Sequence, residues 1–373
     1  MIKHYFYKDV TKNSLLSETI AVLRFPMAVL ILLLHSSFEH EIKDGISIFE
    51  GWNAPVYHHL DFIFVHNICN IAVPLFFLIS GFLFFKESSL TKEQYKLKIR
   101  KRIKSLLVPY LIWNAIILIL YYVVQTLAPS MNSGRNKFIV DYTFHDYLMS
   151  FWSMSFINKD GVSGPIDSPL WFIRDLMVVM VISLFLYFLI KKMKVLMPAI
   201  LTIAYIAGIN TGIQGLSMSA LTFFSLGAFF GIVKLDFVKM SRDIMPFTGI
   251  LYIFLLFVIV LQMGSDGMHT WFSELAVLFG VFGVIGIASY MVERYSFKIS
   301  AFLTSSTFFI FASHSEILKI TIRLTSRLGI NSDLFYCAAY FICPMVTLLF
   351  LLAIYWALTK TMPTVASVLS GGR

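Results

Sequence analysis

Residues 66–85 read HNICNIAVPLFFLISGFLFF, and residues 86–104, which follow directly, read KESSLTKEQYKLKIRKRIK. The first segment is nearly all apolar and has the length at which an α-helix crosses roughly 30 Å of hydrocarbon. The second segment carries eight Lys and Arg residues. Because cytoplasmic loops hold an excess of these residues, the pair of segments predicts a membrane helix whose C-terminal end faces the cytoplasm.

The composition agrees with a membrane protein. Of the 373 residues, 58% are hydrophobic and 14% are charged, with a mean hydropathy of +0.78, whereas a soluble domain carries roughly 25% charged residues. The net charge of +9 resides in loops between apolar runs, so we expect no nucleic-acid partner. The three cysteines (Cys69, Cys337 and Cys343) lie in apolar runs without paired spacing, so neither a metal site nor a disulfide framework is predicted.

The same criterion applied to the whole chain predicts an all-α, polytopic transmembrane helix bundle in one membrane-embedded domain, residues 1–373. We predict about ten spans in the bilayer of the cell membrane, with both termini in the cytoplasm. The predicted spans are 18–36, 66–85, 105–127, 170–190, 195–209, 217–233, 246–263, 272–291, 301–318 and 334–358. The two long loops, 37–65 and 128–169, are placed outside, where loops of that length usually cover or line a site.

Ionisable groups at membrane depth are costly and are therefore functional candidates. Arg24 and His35 are eleven residues apart, which places them on the same helix face with a rise of about 16 Å between them. A guanidinium group suits phosphate, and an imidazole can accept a proton from a hydroxyl nucleophile. The pair indicates acyl or phosphoryl transfer. The alternative is that Arg24 reaches the inner headgroups while His35 makes a buried hydrogen bond.

Five other ionisable residues lie in the outer halves of their predicted helices, at the depth of His35: Arg174, Asp175, Glu274, His314 and Glu316. Each has an alternative to a functional role. Arg174 and Asp175 can pair with neighbours, and His314 can make a structural hydrogen bond. For Glu274 and Glu316, a solvated interfacial position is the favoured interpretation.

On the inner side, Gly81 follows Ser80 near the end of the second span. A glycine permits close approach of a ligand or of a neighbouring helix, and both explanations stay open. The basic segment 86–104 satisfies the orientation rule and suits anionic lipid, but it also suits a phosphorylated cosubstrate. The sequence shows no Gly-rich phosphate loop, paired metal ligands or Gly-x-Ser-x-Gly elbow.

Five motifs, in this order, resemble the acyltransferase 3 family of bacterial integral membrane O-acyltransferases, which act on surface polysaccharides and related acceptors. They are Arg24 with His35, VPLFFLISGFL (73–83), KRIKSLLVPY (101–110), LWFIRDL (170–176) and FFIFASH (308–314). The resemblance covers nearly the whole chain and includes the ten helices usual for the family. Lys104 departs from the pattern, since a second Arg is expected there.

The resemblance implies transfer of an acyl group, acetyl in the first instance, from cytoplasmic acyl-CoA to a hydroxyl of an extracytoplasmic carbohydrate or lipid-linked glycan. Acetyl-CoA or another acyl-CoA would be the cosubstrate, and no metal is expected. The predicted catalytic residues are His35, Asp175 and His314, with Asp175 or another outer carboxylate orienting His35. The predicted donor-binding residues are Arg24, Ser80, Gly81, Arg102 and Arg174.

Other classes of protein also use buried Arg and His. A transporter or flippase for a lipid-linked or anionic solute would use them as a substrate path, although the two matching halves with broken helices typical of such proteins are not visible here. A membrane glycosyltransferase or polymerase would also use them, but would not respond to acyl-CoA. A purely structural membrane protein would leave the aligned Arg24 and His35 unexplained.

Overall fold

The computed structural model of the chain describes residues 14–43, 46–87, 90–128, 137–158, 163–263 and 270–372. The N-terminal stretch that we place in the cytoplasm, 1–13, lies outside the described residues, as do 129–136 and 159–162 of the second long loop.

Within these ranges the structure is almost entirely helical. The α-helices are α1 Ser14–Leu34, α2 Pro55–Ile63, α3 Ala72–Phe85, α4 Lys92–Arg102, α5 Val108–Leu127, α6 Phe144–Ser150, α7 Trp171–Val181, α8 Ser183–Met193, α9 Leu196–Ile206, α10 Met218–Ile232, α11 Phe237–Leu261, α12 Thr270–Tyr295, α13 Ala301–Ser326, α14 Asp333–Thr361 and α15 Pro363–Leu369. The first long loop contains a small antiparallel hairpin of β1 (Ile42–Lys43) and β2 (Ile46–Ser47), in which Ile42 lies opposite Ser47.

Every predicted span coincides with helix, but the structure supports fewer full-length spans than ten. Among the described residues, six helical segments are long and apolar enough to cross a membrane: Leu15–Leu34, Pro55–Phe85, Lys92–Leu127, Phe237–Leu261, Trp271–Tyr295 and Asp333–Thr361. The prediction of a multi-pass, helical membrane protein is therefore confirmed. The number ten and the sidedness of the termini stay predictions.

The other four segments fall short for identifiable reasons. Segment 170–190 is two helices, α7 and α8, which meet at 62° and count as at most one broken span. Helices α9 and α10 have 11 and 15 residues, or about 16 and 22 Å of rise, less than the hydrocarbon thickness. Helix α13 has 26 residues, but its C-terminal half carries Glu316, Lys319 and Arg323.

The second span is longer than predicted and is not a regular α-helix. Between α2 and α3 the chain forms a π-helix, Phe64–Ile68, and a 3₁₀ turn, Cys69–Ile71. A second π-helix, Ile103–Leu107, joins α4 to α5. Such irregular turns inside helices are rare and occur often at functional sites, and each of these two adjoins one end of the candidate site described below.

Glycines allow α3 and α10 to pack backbone against backbone. A Cβ atom at Gly81 would overlap the carbonyl oxygen of Phe224, and one at Gly227 would overlap that of Leu78. Small residues serve this purpose in membrane helix pairs. Close helix packing, one of the two explanations left open for Gly81, therefore accounts for the glycine.

We expect Gly81→Ala to destabilise the protein by roughly 1–3 kcal/mol, because the added methyl group forces two packed helices apart. The matched control is Gly249→Ala in α11, where a Cβ atom meets nothing within 4 Å. Thermal unfolding in detergent should show a lowered melting temperature for the first variant only. Equal melting temperatures for both would contradict this packing.

Candidate functional site

His35 is the residue directly after α1. Its backbone N–H lies 3.3 Å from the carbonyl oxygen of Ile31 and 3.2 Å from that of Leu32, so it continues the last turn of the helix. Its side chain keeps exposed surface. No described residue forms a hydrogen bond with its imidazole, so the ring is free to meet a ligand.

His314 lies against His35, with 5.3 Å between ring centroids. It is fully buried, and its Nδ1 lies 2.8 Å from the carbonyl oxygen of Phe311. A carbonyl oxygen can only accept, so Nδ1 carries a proton and Nε2 presents a lone pair. Among the described residues Nε2 has no hydrogen-bond partner. The first and fifth motifs thus meet in a histidine pair with unused hydrogen-bonding capacity.

A polar cluster on α13 and α5 adjoins the histidine pair. The hydroxyl of Tyr121 donates to Oε1 of Glu316 at 2.8 Å, and Nζ of Lys319 donates to the same oxygen at 2.6 Å. Lys319 also acts electrostatically on both histidines. Glu316 is thus paired with Tyr121 and with the exposed Lys319 while part of its side chain stays exposed, which is compatible with the interfacial position favoured for it.

Asp167 is a candidate that the sequence analysis missed. The residue is 2% exposed, its backbone N–H donates to Oδ1 of Asn114 at 3.1 Å, and its Oδ2 has no hydrogen-bond partner in the described part of the chain. It lies in the electric field of Glu316 and Lys319. Burial raises the pKa of the Asp167 carboxyl well above its usual range. The sequence offers one weak signal for Asp167, namely that this acidic residue directly precedes the Ser-Pro start of a helix.

The raised pKa of Asp167 gives a stability test. The unfolded carboxyl ionises above about pH 4, while the folded one keeps its proton until its own, higher pKa. Stability should therefore fall with rising pH between these two values, by at most about 1.4 kcal/mol per unit. Asp167→Asn, which cannot ionise, should melt at a temperature that falls less between pH 5 and 8 than the wild-type melting temperature does.

The Asp146→Asn variant is a comparison in which the pKa of the replaced carboxyl is shifted in the opposite direction. Hydrogen bonds from Lys137 and Thr143 hold the pKa of Asp146 below its usual range, so the wild-type carboxylate contributes stability that is lost as the pH falls through this lowered pKa. Asp146→Asn should therefore destabilise at neutral pH. An Asp167→Asn variant with the wild-type pH slope would contradict the burial of an ionisable carboxyl at position 167.

Eleven residues before His35, near the middle of α1, the structure brings Arg24 and Arg102 together. Both are half-buried, and they are close enough to repel each other electrostatically. Neither guanidinium has a carboxylate within ion-pair distance among the described residues. Two neighbouring guanidinium groups without an acidic partner form a ready site for a phosphorylated anion.

Arg102 and Arg174 line the same crevice, which has a volume of about 600 Å³. The rest of its wall is mainly apolar and includes Tyr110 and Trp152. Two of the predicted donor-binding residues therefore border one continuous space, whereas Lys104 is exposed beside it.

Arg174 and Asp175 are bonded to each other. Both are buried, with 2.9 Å between Nη2 of Arg174 and Oδ1 of Asp175. Oδ2 of Asp175 accepts from the backbone N–H of Ser217 at 2.9 Å, and Arg174 donates to the carbonyl oxygen of Trp152. The pairing alternative is thus present in the structure. Both carboxylate oxygens are occupied, so the orienting role predicted for Asp175 toward His35 has no hydrogen bond to support it.

Ser80 is half-buried and forms no hydrogen bond with any described residue. Its role in donor binding, like that of Gly81, stays a prediction. For metals, the described ranges contain no group of three or more His, Cys, Asp or Glu side chains placed to hold an ion.

Comparison with known proteins identifies the family. A family model described as an acyltransferase domain matches residues 18–362. The chain belongs to the acyltransferase 3 family. The match contains every predicted site residue from Arg24 to His314. Because the family is one of acyltransferases and the chain has several helices of membrane-spanning length, the chain is a multi-pass membrane acyltransferase. This membership favours acyl transfer over the transporter and glycosyltransferase alternatives.

One curated relative is similar to this chain along most of its length. The chain is 26% identical over 313 residues to the succinoglycan biosynthesis protein ExoH of Rhizobium meliloti (strain 1021), which covers 82% of this chain and 80% of that protein. No solved structure matches the chain.

Proposed function

We propose that the chain transfers an acyl group, acetyl in the first instance, from cytoplasmic acyl-CoA to a hydroxyl group of an extracytoplasmic glycan or glycolipid at the cell membrane. One observation carries the proposal: α1 is followed directly by His35, whose imidazole forms no hydrogen bond with the described residues, and carries near its middle Arg24, which lies beside Arg102 and has no ion-pair partner among the described residues. His35 and Arg24 are about 16 Å apart along the helix axis.

The arginine pair suits the donor. Coenzyme A carries several phosphate oxygens, which match the forked donors of guanidinium groups, and among the described residues no carboxylate lies within ion-pair distance of Arg24 or Arg102 to compete for them. With the phosphates held there, the pantetheine arm extends along the face of α1 and carries the thioester toward His35. Arg174, Ser80 and Gly81 complete the proposed donor path.

His35 supplies the base. It takes the proton of the acceptor O–H while the oxygen forms a bond to the thioester carbonyl carbon. When the C–S bond breaks, the thiolate of coenzyme A leaves and receives the proton back from His35, so the products are an O-acyl ester and a free thiol. In this mechanism His314, neutral and with a free Nε2 lone pair, positions the pair of rings and accepts a hydrogen bond from the protonated base.

The proposed class of acceptor is supported by the similarity to ExoH, the succinoglycan biosynthesis protein. A protein of succinoglycan biosynthesis acts in the production of a polysaccharide, and this chain aligns with most of its length. His35 lies at the end of α1 that the orientation rule places outside. We therefore assign the acceptor hydroxyl to an extracytoplasmic carbohydrate.

The test uses purified protein in lipid nanodiscs with acetyl-, propionyl- and succinyl-CoA and a panel of methyl glycosides. The expected result is release of free thiol that depends on the glycoside, with the acyl group recovered in ester linkage on the sugar. A folded protein that binds none of the acyl-CoA donors would overturn the proposal and favour the transporter.

A further inference from the structure

A small second cavity, which we term the outer pocket, lies against the C-terminal end of α1, next to the chain position of His35. Its volume is about 220 Å³, and its wall includes Leu34, the chain neighbour of His35, together with His66, Asn70, Trp171, Ser219 and Glu274. These residues come from six different helical elements at the end of the bundle that holds His35. The outer pocket therefore lies at the same end of α1 as His35.

The lining combines one aromatic face with hydrogen-bonding groups. Trp171 is half-buried, and His66 is exposed. The Asn70 amide N–H donates to the carbonyl oxygen of His66 at 2.9 Å, which leaves its own oxygen as an acceptor, and Glu274 faces the Tyr205 hydroxyl. An indole face covers the C–H face of a sugar ring, while amide and carboxylate oxygens accept its hydroxyl protons.

Charge and volume narrow the class of ligand. Among the described residues of this lining there is no Lys or Arg, and Glu274 is an acid, so a ligand with its own carboxylate finds His66 as its sole basic neighbour there and lies beside a second carboxyl group. The volume lies below the roughly 300 Å³ at which pockets for drug-sized ligands begin. The wall also contains Leu34, Val73, Pro74 and Val277, and the polar groups of Asn70, Ser219, Ser273 and Glu274 interrupt this apolar surface. A single uncharged ring, which has both C–H faces and hydroxyl groups, fits such a mixed wall better than a lipid chain.

The backbone beside the outer pocket departs from a regular α-helix. The π-helix Phe64–Ile68 carries His66, and the 3₁₀ turn after it carries Asn70. In an uninterrupted α-helix these residues would follow the regular 3.6-residue period; the wider and then tighter turns change the directions of both side chains. The irregular helix is thus explained as part of a binding wall.

We propose that the outer pocket is the acceptor subsite and that it holds one neutral sugar ring on Trp171, with a ring hydroxyl directed to His35. Glu274 and Asn70 accept hydrogen bonds from the other hydroxyls, and Glu274 excludes uronic acids. This assignment rests on the proposed acyl transfer, and it adds the substrate class: a neutral hexose unit rather than an acidic one.

The test measures binding without catalysis. Saturation-transfer NMR is recorded on the full chain in nanodiscs with methyl β-D-glucopyranoside, methyl β-D-galactopyranoside or methyl β-D-glucuronide as the probe. We expect binding of at least one neutral glycoside, about tenfold weaker binding of the glucuronide, and a loss of about tenfold in Trp171→Ala. Glu274→Gln should narrow the preference for the neutral sugar, because the repelling charge is gone.

Two control variants test whether the loss of binding is specific to the aromatic side chain at position 171. Trp356→Ala removes an indole that is 57% exposed on α14 and should bind the glycoside as the wild type does, while Trp171→Phe keeps an aromatic face if Trp171→Ala unfolds. Absence of glycoside binding to the wild type, or equal binding by wild type and folded Trp171 variants, overturns the assignment. Trp171-dependent binding without any acyl transfer leaves the sugar site standing and overturns the proposed function instead.

Discussion

Replacing His35 by alanine is expected to reduce acyl transfer from acetyl-CoA by at least about 100-fold, within the range that general-base catalysis contributes. The reason is geometric: the imidazole keeps exposed surface, forms no hydrogen bond with the described residues and has His314 beside it. Thiol release and ester formation by the purified variant measure the effect. Since the proposed phosphate site at Arg24 and Arg102 lies about 16 Å from His35 along α1, the Kd for acetyl-CoA should stay near the wild-type value.

The control is His59→Ala. His59 is exposed on α2, where its Nδ1 lies 2.6 Å from the carbonyl oxygen of Pro55, and its loss should leave the rate within about twofold of wild type, as usual for surface positions. His35→Gln serves as the second variant if alanine affects folding. Normal rates in a folded His35 variant would remove His35 from the mechanism.

The second large effect is expected at the arginine pair. Arg24→Ala and Arg102→Ala should each raise the Kd for acyl-CoA by about ten- to hundredfold, since a hydrogen bond to a charged group contributes roughly 1.5–3 kcal/mol. Arg102→Lys should recover only part of this loss, because it keeps the charge and lacks the fork. The two residues act electrostatically on each other, so the double variant should not show the sum of the single effects.

S-acetylpantetheine, which has no phosphate groups, separates donor binding from other roles. With this donor, Arg24→Ala and the wild type should turn over at similar rates, whereas His35→Ala should stay inactive. Arg100→Ala, at an exposed position two residues before Arg102, is the matched control for charge. Equal sensitivity of both donors to Arg24→Ala would contradict the phosphate role.

The positions of the helices follow from hydropathy, but their lengths and bends do not. Segment 170–190 reads as one apolar run, yet it breaks at Ile182 into helices at 62° without a proline or glycine there. Helix α13 was predicted by its apolar first half, and its charged half continues as helix because Glu316 and Lys319 pair with each other and with Tyr121. Tertiary contacts of this kind are not readable from a window of sequence.

The candidate site, like the helices, could be predicted from the sequence in part. Spacing within one helix was sufficient to relate Arg24 to His35, because both lie on α1. The contact of His35 with His314 and that of Arg24 with Arg102 join residues far apart in the chain, and only the packing of the helices reveals them. Asp167 escaped notice because its significance lies in burial with an unpaired oxygen, and its sequence context is an ordinary helix start.

Transfer across the membrane is the central claim, and sealed inside-out membrane vesicles that contain the protein test it most directly. Labelled acetyl-CoA is supplied to the outer medium, which is the cytoplasmic face, and a methyl glycoside is trapped in the lumen. The account predicts labelled acetyl ester inside wild-type vesicles and none with His35→Ala. Label transfer only when donor and glycoside share one side, or no transfer at all, would contradict it.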